Sequence, residues 1–177
     1  MNDFSDQILM QRPGKSRASR YHAAVMVVIS LLAIFFQVYV PLFLPYLSYL
    51  ELPLLVTVYF SLMRRQPIAG IFIGCGIGLM QDSLSHQPIG MFGIVKTLVG
   101  YFAASVSMRF DVENPLIRAI LGFFFFCFHQ AFYWVLTSAL LGQNTAFDFQ
   151  QTMIFGLLNA AVALPLFHLL DKMKGAA

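Results

Sequence analysis

PIAGIFIGCGIGLMQDSL, residues 67–84, follows directly on Arg64, Arg65 and Gln66 and holds a single charge, Asp82, near its far end. A hydrocarbon core of about 30 Å is crossed by about 20 mostly apolar helical residues, with about 17–25 tolerated. The stretch therefore reads as a membrane-spanning helix that starts at a basic boundary. Pro67 suits its first position, where a missing N–H costs no intrahelical bond. Reading outward, five further stretches meet the same criterion or approach it: 22–44, 47–63, 91–108, 115–141 and 150–170. Composition agrees, because charged residues are 11% of the chain and hydrophobic ones 59%, whereas soluble domains carry about 25% charged residues. The predicted fold is all-α, a polytopic membrane bundle of about six transmembrane helices spanning 22–171. A basic tail, 1–21, precedes it and a short tail, 172–177, follows.

The connections carry turn chemistry. Arg64, Arg65 and Gln66 predict a tight turn, Ser85 to Gly90 a linker, and Asn114-Pro115 a capped helix start. Pro165 predicts a kink in the last span. The first span follows Arg12, Lys15, Arg17 and Arg20 as a secretory signal would. It is longer than the about 7–15 apolar residues of such a signal, and ends in Pro41 and Pro45 among aromatics rather than in a cleavage site.

Charge orients the bundle. With the N-terminus inside, Arg12, Lys15, Arg17, Arg20, Arg64, Arg65, Arg109, Arg118, Lys172 and Lys174 all lie at inside boundaries, ten of the eleven Lys and Arg residues. Lys96 lies within the fourth span, and no outside loop carries a cation. The positive-inside bias thus places both termini of the bundle in the cytoplasm. The net charge of +3 follows from this bias and not from a nucleic-acid surface, for there is no basic stripe with interleaved aromatics.

Small residues recur at four-residue steps. Gly70, Gly74 and Gly78 in the third span, Gly100 and Ala104 in the fourth, and Gly156 and Ala160 in the sixth let helix backbones approach closely. They serve either packing inside the bundle or docking of a partner helix. Gln81, Asp82, Lys96, His129, Gln130 and Asn159 are the intramembrane polar residues. Asp82 and Lys96 flank the linker at comparable depth, so either they pair, or Asp82 sits at headgroup level while Lys96 snorkels. His129 and Gln130, beside Tyr133 and Trp134, are expected to join Asn159 and Gln37 in cross-helix hydrogen bonds. A small-molecule pocket between the helices is the sharper alternative.

Catalysis finds no constellation. His22, His86, His129 and His168 are scattered over different spans, no H-E-x-x-H occurs, and Asp82, near the end of its span, is the one candidate aspartate where intramembrane proteolysis needs two at mid-membrane. Cys75 and Cys127 lie in apolar runs without metal-ligand spacing and are expected to be buried, inert thiols. No enzyme activity, cofactor or metal is expected.

The stretch from Glu51 through Arg64-Arg65-Gln66-Pro67, then residues 70–78, Leu79-Met80-Gln81-Asp82-Ser83-Leu84, Gln87-Pro88-Ile89-Gly90 and Lys96-Thr97-Leu98-Val99-Gly100-Tyr101, resembles the MreD family of rod-shape-determining membrane subunits. The basic tail and the phenylalanine run at 123–126 lie outside the recognisable pattern. The resemblance implies a non-enzymatic scaffold of the bacterial cell-elongation machinery. Such a scaffold binds MreC, a bitopic membrane protein, and acts with MreB filaments, RodA and a penicillin-binding transpeptidase to organise lateral peptidoglycan synthesis. The third and fourth spans are then expected to pack tightly, and the outer end near Asp82 to touch a partner. The family is also similar in fold to the S components of energy-coupling-factor transporters. That likeness implies an alternative, a small-molecule-binding subunit of a membrane transporter.

Overall fold

The computed structural model describes residues 23–85, 88–142 and 146–173. The basic tail 1–21, His22, His86, Gln87, Gln143, Asn144 and Lys174 lie outside the described residues. Among the described residues six α-helices follow in order: α1 (Ala23–Tyr39), α2 (Leu52–Arg64), α3 (Pro67–Leu84), α4 (Met91–Val106), α5 (Pro115–Leu141) and α6 (Phe149–Met173). No strand occurs among the described residues. Two 3-10 turns, Val40–Leu42 and Pro45–Tyr49, join α1 to α2.

Among the described residues, five segments are long and apolar enough to cross a membrane: Ala24–Leu42, Pro45–Arg64, Pro67–Leu84, Pro115–Leu141 and Phe149–Met173. The helix Met91–Val106 is shorter, ending before the expected position 108. At about 1.5 Å per residue it rises only about 24 Å. The second span differs from the continuous helix expected from residue 47. Its first part is the 3-10 turn, and α-helix begins only at Leu52. Pro45 and Pro53 lack the amide protons that would carry an α-helix through this segment.

Burial explains why these two helices can be short. Residues 53–62 of α2 are all buried, so protein and not lipid surrounds the helix. Half of α4 is buried too, including Val95, Lys96, Val99, Gly100, Ala103 and Ala104. The hydrophobic core gathers about α2, with Ile34 of α1, Ile77 of α3, Val99 of α4, Phe125 and Phe126 of α5, and Phe167 of α6 packed around it. The lipid-facing sides of the outer helices stay apolar, as at Leu32, Phe72, Ile120 and Leu157.

Local chemistry sets the helix ends. Arg65 closes α2 in the left-handed conformation, at φ 50°, and Pro67 opens α3 directly after Gln66. Asn114 Oδ1 accepts from the amide of Leu116 (2.9 Å) ahead of α5. Gly90, at φ 99°, begins α4 in a conformation an L side chain rarely adopts. Pro165 lies inside α6, which continues to Met173.

The closest helix pair is α3 with α4, and glycine makes it possible. A Cβ at Gly70 would strike the carbonyl of Gly100; one at Gly74 would strike that of Lys96, and one at Gly78 that of Phe92. Gly100 meets the backbone of Gly70 in return. Gly76, on the other side of α3, has open space around its Cβ position. Gly156 of α6 lies against Phe123 and Cys127 of α5, and Gly122 against Ala160 and Ala163. At the Arg-bearing end, Arg118 of α5 pairs with Asp171 of α6, and the Tyr59 hydroxyl of α2 donates to the same carboxylate (2.8 Å).

Gly74→Ala is expected to cost at least about 2–3 kcal/mol, because its methyl meets backbone and not a movable side chain. Gly76→Ala is expected to be neutral or to stabilise by up to about 1 kcal/mol through helix propensity. Thermal melts of both variants in one detergent separate the cases, and equal melting temperatures would refute the interface.

Candidate functional site

At the opposite end from Arg118 and Asp171, the ionisable residues of the bundle interior meet. Asp82 sits in the last turn of α3, brought against the start of α4 by the glycine contact one turn earlier. Its Oδ2 accepts from the amides of Gly90 (3.0 Å) and Gly93 (2.9 Å), and its Oδ1 from that of Phe92 (3.1 Å). A helix N-terminus has free amides and positive dipole potential, and a carboxylate satisfies both. Asp82 is thus a clasp between α3 and α4.

Lys96 lies one to two turns further along α4. Its nearest carboxylate oxygen is Oε2 of Glu51, 3.9 Å from Nζ, at the residue preceding α2. Nζ also stands 4.6 Å from the centre of the Phe92 ring, within cation–π range. The expected Asp82–Lys96 pair does not form, because Asp82 is saturated by three backbone amides. The alternative of a snorkelling lysine fails as well, since Lys96 is 0% exposed and Asp82 2%. Glu51, which falls near the start of the second span and is absent from the intramembrane polar residues expected from sequence, is the partner that was missed. Its place inside an otherwise apolar span was the available signal, since an ionisable residue there needs a partner.

Asn159 of α6 anchors Glu51 through the backbone. Its Oδ1 accepts from the Glu51 amide (2.9 Å), while its Nδ2 donates to the carbonyls of Tyr49 (2.8 Å) and Phe155 (2.9 Å). The rings of Tyr49 and Phe155 stack beside it at 3.9 Å. These bonds satisfy the backbone where the chain passes from the 3-10 turn into α2, as hydrocarbon demands.

The expected cluster of His129, Gln130, Asn159 and Gln37 does not assemble. Gln37 donates to the Ser48 carbonyl at 3.4 Å. His129 is 1% exposed and lies near-parallel to the Phe92 and Tyr133 rings, with neither nitrogen hydrogen-bonded. Gln130 instead lines an opening between α5 and α6. Gln81 Oε1, Lys96 Nζ and Glu51 Oε2 also lack hydrogen-bond partners among the described residues. Cys75 and Cys127 are free and only partly buried, short of the full burial expected. Among the described residues no three His, Cys, Asp or Glu side chains converge as a metal site.

A family model described as rod shape-determining protein MreD matches residues 19–173. The chain belongs to that family, and with its membrane-spanning helices it is a multi-pass protein of the bacterial inner membrane. Neither a curated protein nor a solved structure matches it.

Breaking a buried ion pair from one side leaves an uncompensated charge, at a cost of about 3–5 kcal/mol. Lys96→Met is therefore expected to lower the amount of folded protein sharply, and the double variant Glu51→Gln/Lys96→Met to recover most of it. Asp82→Ala, which orphans three amides, is expected to lose roughly 3 kcal/mol or more. Gel-filtration yield and melting temperature in detergent report each variant. A double variant no better than Lys96→Met would refute the pairing.

Proposed function

We propose that this MreD-family chain is a non-enzymatic scaffold of the cell-elongation machinery. It binds an MreC-like bitopic protein through its helix faces and helps to organise peptidoglycan synthesis along the lateral wall. RodA, a penicillin-binding transpeptidase and MreB filaments act in the same assembly. Family membership supports the role in rod shape. The finer reading rests on what the bundle leaves on its outside.

One observation carries it. The glycine stripe and the intramembrane charges are turned inward, where they hold α2, α3 and α4 together. That leaves apolar faces toward the bilayer, including a groove of about 280 Å³ with α2 as its floor and α1 and α6 as its walls. Leu32 and Phe36 stand on one wall and Leu166 and Leu169 on the other. A groove of this form suits a single apolar helix, the membrane portion of a bitopic protein. Association there relies on van der Waals fit, because lipid tails are as apolar as leucine.

The rival reading, a transporter subunit that captures a small molecule, needs space beside the interior polar groups. Asp82, Lys96 and His129 are sealed from solvent by their neighbours, and the opening that Gln130 lines lies at the end of the bundle, away from them, which favours the scaffold.

In a variant lacking Cys75 and Cys127, a cysteine at Leu32 or Leu169 is expected to crosslink to cysteines along the membrane helix of a co-expressed MreC-like protein. A cysteine at Ile120, on the outside of α5, is expected not to. Crosslinking at Ile120 alone would move the docking face. Co-purification of paired ATPases or a bound vitamin in place of the bitopic protein would overturn the scaffold itself.

A further inference from the structure

A second opening lies between α5 and α6 at the end of the bundle away from Arg118. It encloses about 320 Å³ and is lined by Gln130, Tyr133, Trp134, Phe147, Asp148 and Gln151, among others. Three of these are aromatic, two are amides and one is a carboxylate; none of the described lining residues is basic. Trp134 and Phe147 meet edge to face at 5.7 Å. Asp148 directly precedes α6, with Oδ1 accepting from the amide of Gln151 (2.9 Å), and its side chain is at the surface.

Asp148 caps α6 and offsets the positive end of that helix, and its exposed carboxylate together with the aromatic rings leaves a lining that can attract a cation. Aromatic faces attract ammonium groups electrostatically, and an aromatic cage closed by a carboxylate is a recurrent way to hold them. The amide oxygens of Gln130 and Gln151 add acceptors for N–H donors. Its depth names the source. Gln151 and Thr152 lie in the first turn of α6, and Trp134 lies about 10 Å down α5 from Leu141. With 27 residues and a rise of about 40 Å, α5 is longer than a hydrocarbon core of about 30 Å, so this end of the helix pair reaches toward the membrane–water boundary, where tryptophan and tyrosine sit among headgroups.

We infer that the crevice between α5 and α6 is a binding site for the ammonium headgroup of a phospholipid. The acyl chains run down the apolar exterior of the two helices, and the ammonium enters between Trp134, Tyr133 and Asp148. The site is separate from the groove between α1 and α6 and does not depend on the scaffold reading.

Trp134 is the chain's one tryptophan, so its fluorescence reports on the crevice directly. Short-chain phosphatidylethanolamine added to the purified protein in detergent is expected to shift Trp134 emission saturably, while phosphatidylglycerol of the same chain length leaves it unchanged. Asp148→Asn keeps an oxygen for the Gln151 amide and so preserves the start of α6. It is expected to weaken phosphatidylethanolamine binding about tenfold, the scale of one partly desolvated cation contact. Native mass spectrometry of wild type and variant supplies a second readout, with retained phosphatidylethanolamine expected only on the wild type. An equal response to phosphatidylglycerol, undiminished binding to Asp148→Asn, or saturation by free ethanolamine at the same concentration would each overturn the inference.

Discussion

The contact between the backbones of α3 and α4 is what the remaining structure depends on. Helices approach this closely only where no Cβ intervenes, and Gly70, Gly74, Gly78 and Gly100 clear the whole line of contact. In lipid no hydrophobic force presses two apolar helices together, so this close packing must supply the association. It also sets the rotation and height of α4 against α3. The first amides of α4 then fall on the Asp82 carboxylate, and the carboxylate holds them there. Packing and clasp reinforce each other across the same helix pair.

From that pair follows the position of Lys96. Its backbone faces Gly74, which sends its side chain toward the centre of the bundle and the start of α2. There it meets Glu51 at 3.9 Å. Two charges held within a membrane protein are costly, and this pair leaves Lys96 Nζ and Glu51 Oε2 without hydrogen bonds. What the arrangement provides is specificity. An ammonium sealed among Phe92, Glu51 and their neighbours tolerates one placement of α2 relative to α4, whereas apolar packing alone tolerates several. Asn159 adds the third helix by fixing the backbone on either side of Leu50 to α6. At the other end, Arg118, Asp171 and Tyr59 tie α2, α5 and α6 by the same means. The bundle is thus joined by polar contacts near both ends, with an apolar core between.

This distribution bears on what the protein can offer a partner. Every feature that usually marks a docking helix in a membrane sequence, small residues in steps and charged residues at depth, is consumed within the fold. The described surfaces include apolar grooves, an aromatic-lined crevice and, at the Arg118 end, a polar opening beside Glu113, His168 and Asp171. The grooves suit a neighbouring helix and the crevice a lipid headgroup.

The number and type of elements were legible in the sequence because their cause is local. Twenty apolar residues form a helix in hydrocarbon whatever surrounds them, and Asn114-Pro115 or Arg65-Gln66-Pro67 ends or begins one through its own backbone chemistry. The glycine steps announced a close contact for the same reason. Tertiary structure alone decided which polar groups met. Asp82 and Lys96 looked paired because they flank one linker, yet α4's own amides compete for Asp82 and win by number and geometry. Glu51 reaches Lys96, and Asn159 reaches Glu51, across stretches of chain that no local pattern connects. Such partnerships depend on equal depth and facing rotation of three separate helices, quantities that exist only after the bundle has packed.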